Sequence, residues 1–168
     1  MSELNGRIGG LRLGYDLHAR WDGRELSGRI GGTFQGKDIR LTLDGERVSG
    51  RIGGHIGGFD ADGRVSADAV QVRLGGRIDG DDVHADLSEG QARGRYSGRI
   101  AGKDIALHLD GQRVRGRIGG HIEGKDVELE LDSPDVPFGL VVLAALCAYK
   151  ALEDQQNAAN AASGDASN

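Results

Sequence analysis

The sequence predicts a mainly β protein: a Gly-rich antiparallel meander of about 12 strands, closed into a barrel around a C-terminal hydrophobic helix. Three observations predict it. The pentapeptide Gly-Arg-Ile-Gly-Gly recurs at 6–10, 28–32, 50–54 and 116–120. Between its copies apolar and polar residues alternate, as in Lys103-Asp104-Ile105-Ala106-Leu107-His108-Leu109. Near the end, Phe138 to Tyr149 form twelve residues without a charge.

Degenerate copies of the pentapeptide at 76–80 and 98–102 give steps of 22, 22, 26, 22 and 18 residues. The deviations are even, so they preserve which face of a strand a residue occupies. Asp22-Gly23, Asp44-Gly45 and Asp110-Gly111 are expected hairpin turns, with Asp62-Gly63 and Glu89-Gly90 as further ones. Gly36-Lys37 and Gly124-Lys125 are the expected turns at the opposite end. Pairing outward from Asp110-Gly111 sets Leu107 against Val114, Ile105 against Gly116 and Asp104 against Arg117. The same construction sets Asp38 against Arg51 and Asp16 against Arg29. Pairing about Gly124-Lys125 sets Ile122 against Val127 and Ile118 against Leu131. One face is therefore aliphatic or Gly, and the other carries Asp–Arg pairs. A sheet this wide curls, and closure removes its edges.

The segment from Phe138 onward follows Ser133-Pro134-Asp135-Val136-Pro137 and reads as a helix started by Pro137. It is apolar all round and too short to span a bilayer, so it needs burial on every side. A 12-stranded barrel is roughly 23 Å across, too wide for its own side chains to fill. A helix of about 10 Å fills the remainder. Inward glycines (Gly28, Gly50, Gly54, Gly116, Gly120) are expected to make room for it. The expected organisation is a hairpin-repeat barrel over 1–136, a plugging helix over 137–154 in the same domain, and a disordered tail over 155–168.

Twelve antiparallel strands around one C-terminal hydrophobic helix resembles the Tubby C-terminal domain, the phospholipid scramblases and the small bacterial β-flower barrels. The resemblance is architectural and covers residues 6–152. It implies contact with phosphoinositides or membrane lipid and assigns no individual residue.

The 168 residues amount to one domain with a core that must be aliphatic, since aromatics are 4%. A net charge of −5 argues against a nucleic-acid partner. The start lacks a basic and an apolar stretch, so the expected location is cytoplasmic, at most peripheral to a membrane. A single Cys excludes an internal disulfide, and Cys147 in the apolar run is expected to be inert.

Gly94-Arg95-Tyr96-Ser97-Gly98 lacks the spacing of a nucleophile elbow, and no phosphate-loop motif is present. Asp60-Ala61-Asp62-Gly63 begins like a calcium loop but continues with Arg64 and lacks a closing Glu. His18, His55, His84, His108 and His121 are expected to be solvated. No cofactor, metal or enzymatic activity is expected. Arg7, Arg29, Arg51, Arg77, Arg99 and Arg117 are read as a belt around the barrel, at least three of them engaged by aspartates, with a phosphate- or headgroup-binding ring as the alternative. Arg93, Arg95, Arg113 and Arg115 are the candidates for an anionic partner. The functional expectation is a non-catalytic barrel that binds anionic lipid or a membrane surface. The alternative is a structural, self-associating repeat module. An open β-array or a membrane-spanning β-barrel would leave the apolar helix without a place.

Overall fold

Aliphatic residues at every second position, interrupted by glycine pairs, build twelve strands. A computed structural model describes residues 1–10, 12–31, 36–97, 102–120 and 124–165. The strands are β1 (Ser2–Gly9), β2 (Gly14–Trp21), β3 (Glu25–Gly31), β4 (Gly36–Asp44), β5 (Arg47–Ile52) and β6 (Phe59–Val65). They continue with β7 (Ala69–Leu74), β8 (Asp81–Ser88), β9 (Gln91–Ser97), β10 (Gly102–Asp110), β11 (Arg113–Ile118) and β12 (Lys125–Leu131). Each pairs antiparallel with its sequence neighbours, and β1 pairs with β12 to close the barrel. One helix among the described residues, α1 (Phe138–Asp165), follows.

The helix lies inside. Leu140 through Tyr149 are all fully buried, and so are inward strand residues such as Leu4, Ile30, Leu41 and Val114. A helix buried on every face within a closed sheet is a plug, and the expectation of a filled barrel holds. The carbonyl of Pro137 accepts from the Leu140 and Val141 amides and starts the helical ladder. Gly139 enters against Val65, Leu87 and the Ser66 carbonyl, at the end of the barrel that holds the short turns. The helix does not stop where its apolar run ends. The tail expected to be disordered from Gln155 is helical through Asp165. At 28 residues the helix is about 42 Å long, roughly twice the height of the barrel wall.

The repeat is more regular than the pentapeptide suggests. On the loop side of the strands Arg7, Arg29, Arg51, Arg73, Arg95 and Arg117 each stand directly opposite an aspartate, at an unbroken period of 22. Val72-Arg73-Leu74-Gly75-Gly76 and Gly94-Arg95-Tyr96-Ser97-Gly98 are therefore the degenerate copies. Arg77 is a loop residue four positions late, and Arg99 lies outside the described residues.

The hairpin register also differs from the expected one, by two residues. Leu109 faces Val114, Leu107 faces Gly116 and Ile105 faces Ile118. Leu43 likewise faces Val48, and Trp21 faces Leu26. The reason is turn chemistry. Gly45 and Gly111 take the first loop position with φ +61, as a type II′ turn requires, so the preceding Asp belongs to the strand. Asp62-Gly63 is not a turn but the middle of β6, so Asp60 and Asp62 form no calcium loop. Gly36 and Gly124 sit where long loops rejoin the strands, and Ile118 faces Lys125 rather than Leu131. Ile122 lies outside the described residues. Both errors are even, so the assignment of faces survives them.

The inward glycines serve the sheet rather than the plug. A Cβ at Gly28 would fall 1.9 Å from the His18 carbonyl oxygen, and one at Gly50 or Gly116 about 2.0–2.1 Å from the carbonyl of Arg40 or Ala106. The close neighbour in each case is the adjacent strand. In the hairpin β6–β7 the repeat position is Val72, and its partner Gly63 supplies the missing volume instead. Gly54 and Gly120 have nothing within 4 Å and lie in loops.

Candidate functional site at the loop end

The two ends of the barrel differ. One is closed by short turns, the other by loops of about four to six residues built on Gly-Gly-x-x-x-Gly, as in Gly53–Gly58 and Gly75–Gly80. The helix enters at the turn end and leaves through the loop end. What surrounds its exit is the part of the molecule with most chemical variety.

The belt arginines build the loops. Arg7 Nη1 meets Asp16 at 2.7 Å, while its Nη2 donates to the Gly10 carbonyl at 3.0 Å. Arg51 joins Asp60 at 3.0 Å and Gly54 O at 2.7 Å, and Arg73 joins Asp82 and Gly76 O in the same way. Arg117 contacts Asp126, Gly120 O and Gly124 O. Each guanidinium fork ties a strand carboxylate to the loop backbone beside it. The aspartates are those of the loop-side neighbour: Arg29 pairs with Asp38 and Arg95 with Asp104. The expected partners Asp16–Arg29, Asp38–Arg51 and Asp104–Arg117 do not form.

Inside the rim, one residue before each of these aspartates, stands a ring of inward positions: Tyr15, Lys37, Phe59, Asp81, Lys103 and Lys125. The wall below is almost uniformly aliphatic. This ring is not, and it meets the polar part of α1. Lys150 reaches Asp81 at 3.0 Å and Asp154 at 3.3 Å, and lies 5.2 Å over the Phe59 ring. Asp81 also accepts from the Tyr96 hydroxyl at 2.8 Å, and Tyr96 packs edge-on against Tyr149. Lys103 pairs with Glu153, which accepts from the Tyr149 hydroxyl at 2.7 Å. Tyr15 hydrogen-bonds Gln155.

Burial alone would lower the Lys150 pKa, but Asp154 and Asp81 outweigh it and hold it above the ordinary lysine value. Burial, then Asp81, pushes the Tyr96 hydroxyl up, and burial pushes the Cys147 thiol up.

The loop tips are exposed and apolar. Ile56 is 97% exposed, Ile78 82% and Leu13 62%. The repeat position of Ile56 and Ile78 carries Phe34, Ile100 and Ile122 in other loops, all outside the described residues. Beside the tips, Arg12, Arg77 and Lys125 make no ion pair with a described residue. Charge is also distributed unevenly along the axis. Counted over the described residues, segments 7–16, 29–38, 51–60, 73–82, 95–104 and 117–126, together with 150–164, carry 12 Lys and Arg against 10 Asp and Glu. The other described residues, toward the turn end, carry 8 against 14.

The four arginines singled out from sequence are outward strand residues. Arg95 is held by Asp104 at 3.3 Å, Arg115 by Glu128 at 3.3 Å and Arg113 faces Glu130 at 3.9 Å. Arg93 stands opposite Asp86 without an ion pair to a described residue. Sequence reasoning passed over the inward ring and the loop tips. Both become visible once the period of 22 is carried through 72–98. His55 is an exposed loop residue, His18 contacts Asn5, His84 contacts Asp86, and His121 lies outside the described residues. Among the described residues no group of His, Cys, Asp or Glu is placed to hold a metal ion. No described helix is long and apolar enough to cross a membrane. No family model, curated protein or solved structure matches the chain.

Proposed function

We propose that this is a non-catalytic barrel that docks, loop end first, onto an anionic lipid surface. The observation that carries the reading is the row of exposed aliphatic tips, Leu13, Ile56 and Ile78, beside Arg12 and Arg77. Aliphatic tips gain by entering the acyl boundary, and each basic residue near an anionic leaflet contributes about 1 kcal/mol. The acidic turn end orients the molecule, because it is repelled while the loop end is not. The helix turns beyond the rim, Asn157–Gly164, carry no apolar side chain larger than Ala and suit the headgroup layer. The resemblance to Tubby-like, scramblase and β-flower barrels points the same way, on strand number and central helix alone. With few free charges the association is weak and sensitive to salt.

Co-sedimentation with vesicles of phosphatidylglycerol and phosphatidylcholine tests it. Binding is expected to the anionic vesicles, to fall several-fold between about 50 and 300 mM salt, and to be lost in Ile56→Glu/Ile78→Glu. Equal binding to pure phosphatidylcholine, or an unaffected double variant, overturns the reading. The same tips suit a contact between two copies of the chain. A sedimentation-velocity dimer that the double variant dissociates, with no vesicle binding, would establish the self-associating module in its place.

A further inference from the structure

Among the described residues α1 and the loops bound three grooves, and in one of them the side chain of an inward-ring lysine makes neither an ion pair nor a hydrogen bond with a described residue. It occupies about 570 Å³ and is lined by Leu13, Lys103, Lys125, Gln156, Asn157 and Asn160, with Glu153 at its base. Glu153 is already taken by Lys103 and the Tyr149 hydroxyl. Lys125 is half-buried and has no carboxylate among the described residues. Nor does it donate to a described carbonyl, whereas the other ring lysines and the belt arginines each have a partner. Lys150 has two carboxylates, Lys103 has one, and Lys37 donates to the Gly57 carbonyl. The Gln156, Asn157 and Asn160 amides make no hydrogen bond to a described side chain, and they line the same groove. Leu13, 62% exposed, forms its outer lip.

We propose that this groove binds a single phosphodiester, the glycerophosphate portion of an anionic lipid, and so rests on the membrane-docking reading. The chemistry selects the class. One uncompensated ammonium matches a monoanion, which a phosphodiester is and a phosphomonoester is not at neutral pH. Three amide side chains supply donors for phosphoryl and glycerol oxygens. The Leu13 lip meets the start of the acyl chains. Ordering a half-buried lysine stem beforehand lowers the cost of closing on the anion.

The probes are dihexanoyl phosphatidylglycerol below its micelle concentration, dihexanoyl phosphatidylcholine and inorganic phosphate, titrated into the full chain and followed by amide NMR shifts. Phosphatidylglycerol is expected to move residues 125 and 156–160, and Lys125→Gln to weaken it at least ten-fold while Lys125→Arg keeps most of the affinity. Unchanged affinity in Lys125→Gln, or shifts confined to 53–58 and 75–80, overturns the site. Inorganic phosphate binding as tightly as the lipid overturns the lipid assignment and leaves a free-anion site. Vesicle binding separates the two readings. If Lys125→Gln still sediments with anionic vesicles, docking stands without this groove. If the soluble lipid binds and vesicles do not, the groove stands and docking fails.

Discussion

A single atom decides several positions in this wall. The Cβ that Gly28→Ala adds meets the His18 carbonyl oxygen, a backbone atom that has no rotamer to change. The cost is expected at about 1–3 kcal/mol, against less than about 0.5 kcal/mol for Gly54→Ala, which meets nothing. Urea denaturation of the two variants checks this; equal midpoints would contradict the close approach of the strands. Gly63 and Val72 extend the test, since they exchange roles across one hairpin. Gly63→Val alone is expected to be severely destabilising, and addition of Val72→Gly to restore little, because the atoms the new Cβ meets, the Gln71 carbonyl oxygen and Val72 Cα, are backbone. A double-mutant cycle in which Val72→Gly restores most of the stability would show that side-chain volume, not the backbone approach, excludes a side chain at 63. The sequence made the face of each residue legible but not its partner. Alternation sets the face, whereas the partner depends on whether Gly takes the first or second turn position, and Asp-Gly is compatible with both.

The helix is the element whose placement depends on more than hydrophobicity. Its apolar stretch, buried all round, was readable as a plug because an all-apolar helix needs cover on every side and a wide barrel needs filling. Its rotation was not readable, since an aliphatic wall of six similar units accepts a helix at many angles. Lys150 with Asp81, and Lys103 with Glu153, select one of them. Asp81→Asn leaves Lys150, whose side chain is 9% exposed, with one carboxylate, and a loss of up to about 3–5 kcal/mol is expected. Lys150→Met/Asp81→Asn should recover most of it. A double variant no more stable than Asp81→Asn would mean the pair contributes through packing alone.

The pH dependence has a definite sign. Lys150 has a raised folded pKa, so its stabilisation is complete below the unfolded lysine value of about 10.4 and is lost as pH rises through the folded one. The raised Tyr96 and Cys147 act in the same direction. The stability difference between wild type and Lys150→Met should therefore hold from pH 7 to 10 and shrink above it. Cys147, at 0% exposure in mid-helix, should resist maleimide until the barrel unfolds. Labelling in native protein would place the helix outside.

For the whole molecule, the six Arg–Asp pairs are too exposed to carry the fold. Pairs such as Arg29–Asp38, with side chains 50% and 83% exposed, contribute at most a few tenths to about 1 kcal/mol each. Stability resides in the closed aliphatic interior and its plug. The belt's task is local, shaping loops so that their tips stand clear. Residue identity at the loop end varies between repeats while the wall does not. This separation of a uniform scaffold from a varied rim is what the functional proposals rest on. Removal of residues 161–168, beyond the inner groove, is expected to leave the thermal midpoint within about 2 °C, as exposed helix turns carry little packing. A drop of more than about 5 °C would show that these turns brace the rim.

Genes made of near-identical tandem segments readily gain or lose a copy by unequal recombination, and an open array tolerates the change at its end. Here β12 must meet β1 around a helix of fixed girth. One hairpin more or fewer alters the bore by about 4 Å, leaving a void around the plug or no space for it. Selection should therefore hold the copy number at six while individual segments drift, and the lineage's variation should be found in substitutions at the rim rather than in length.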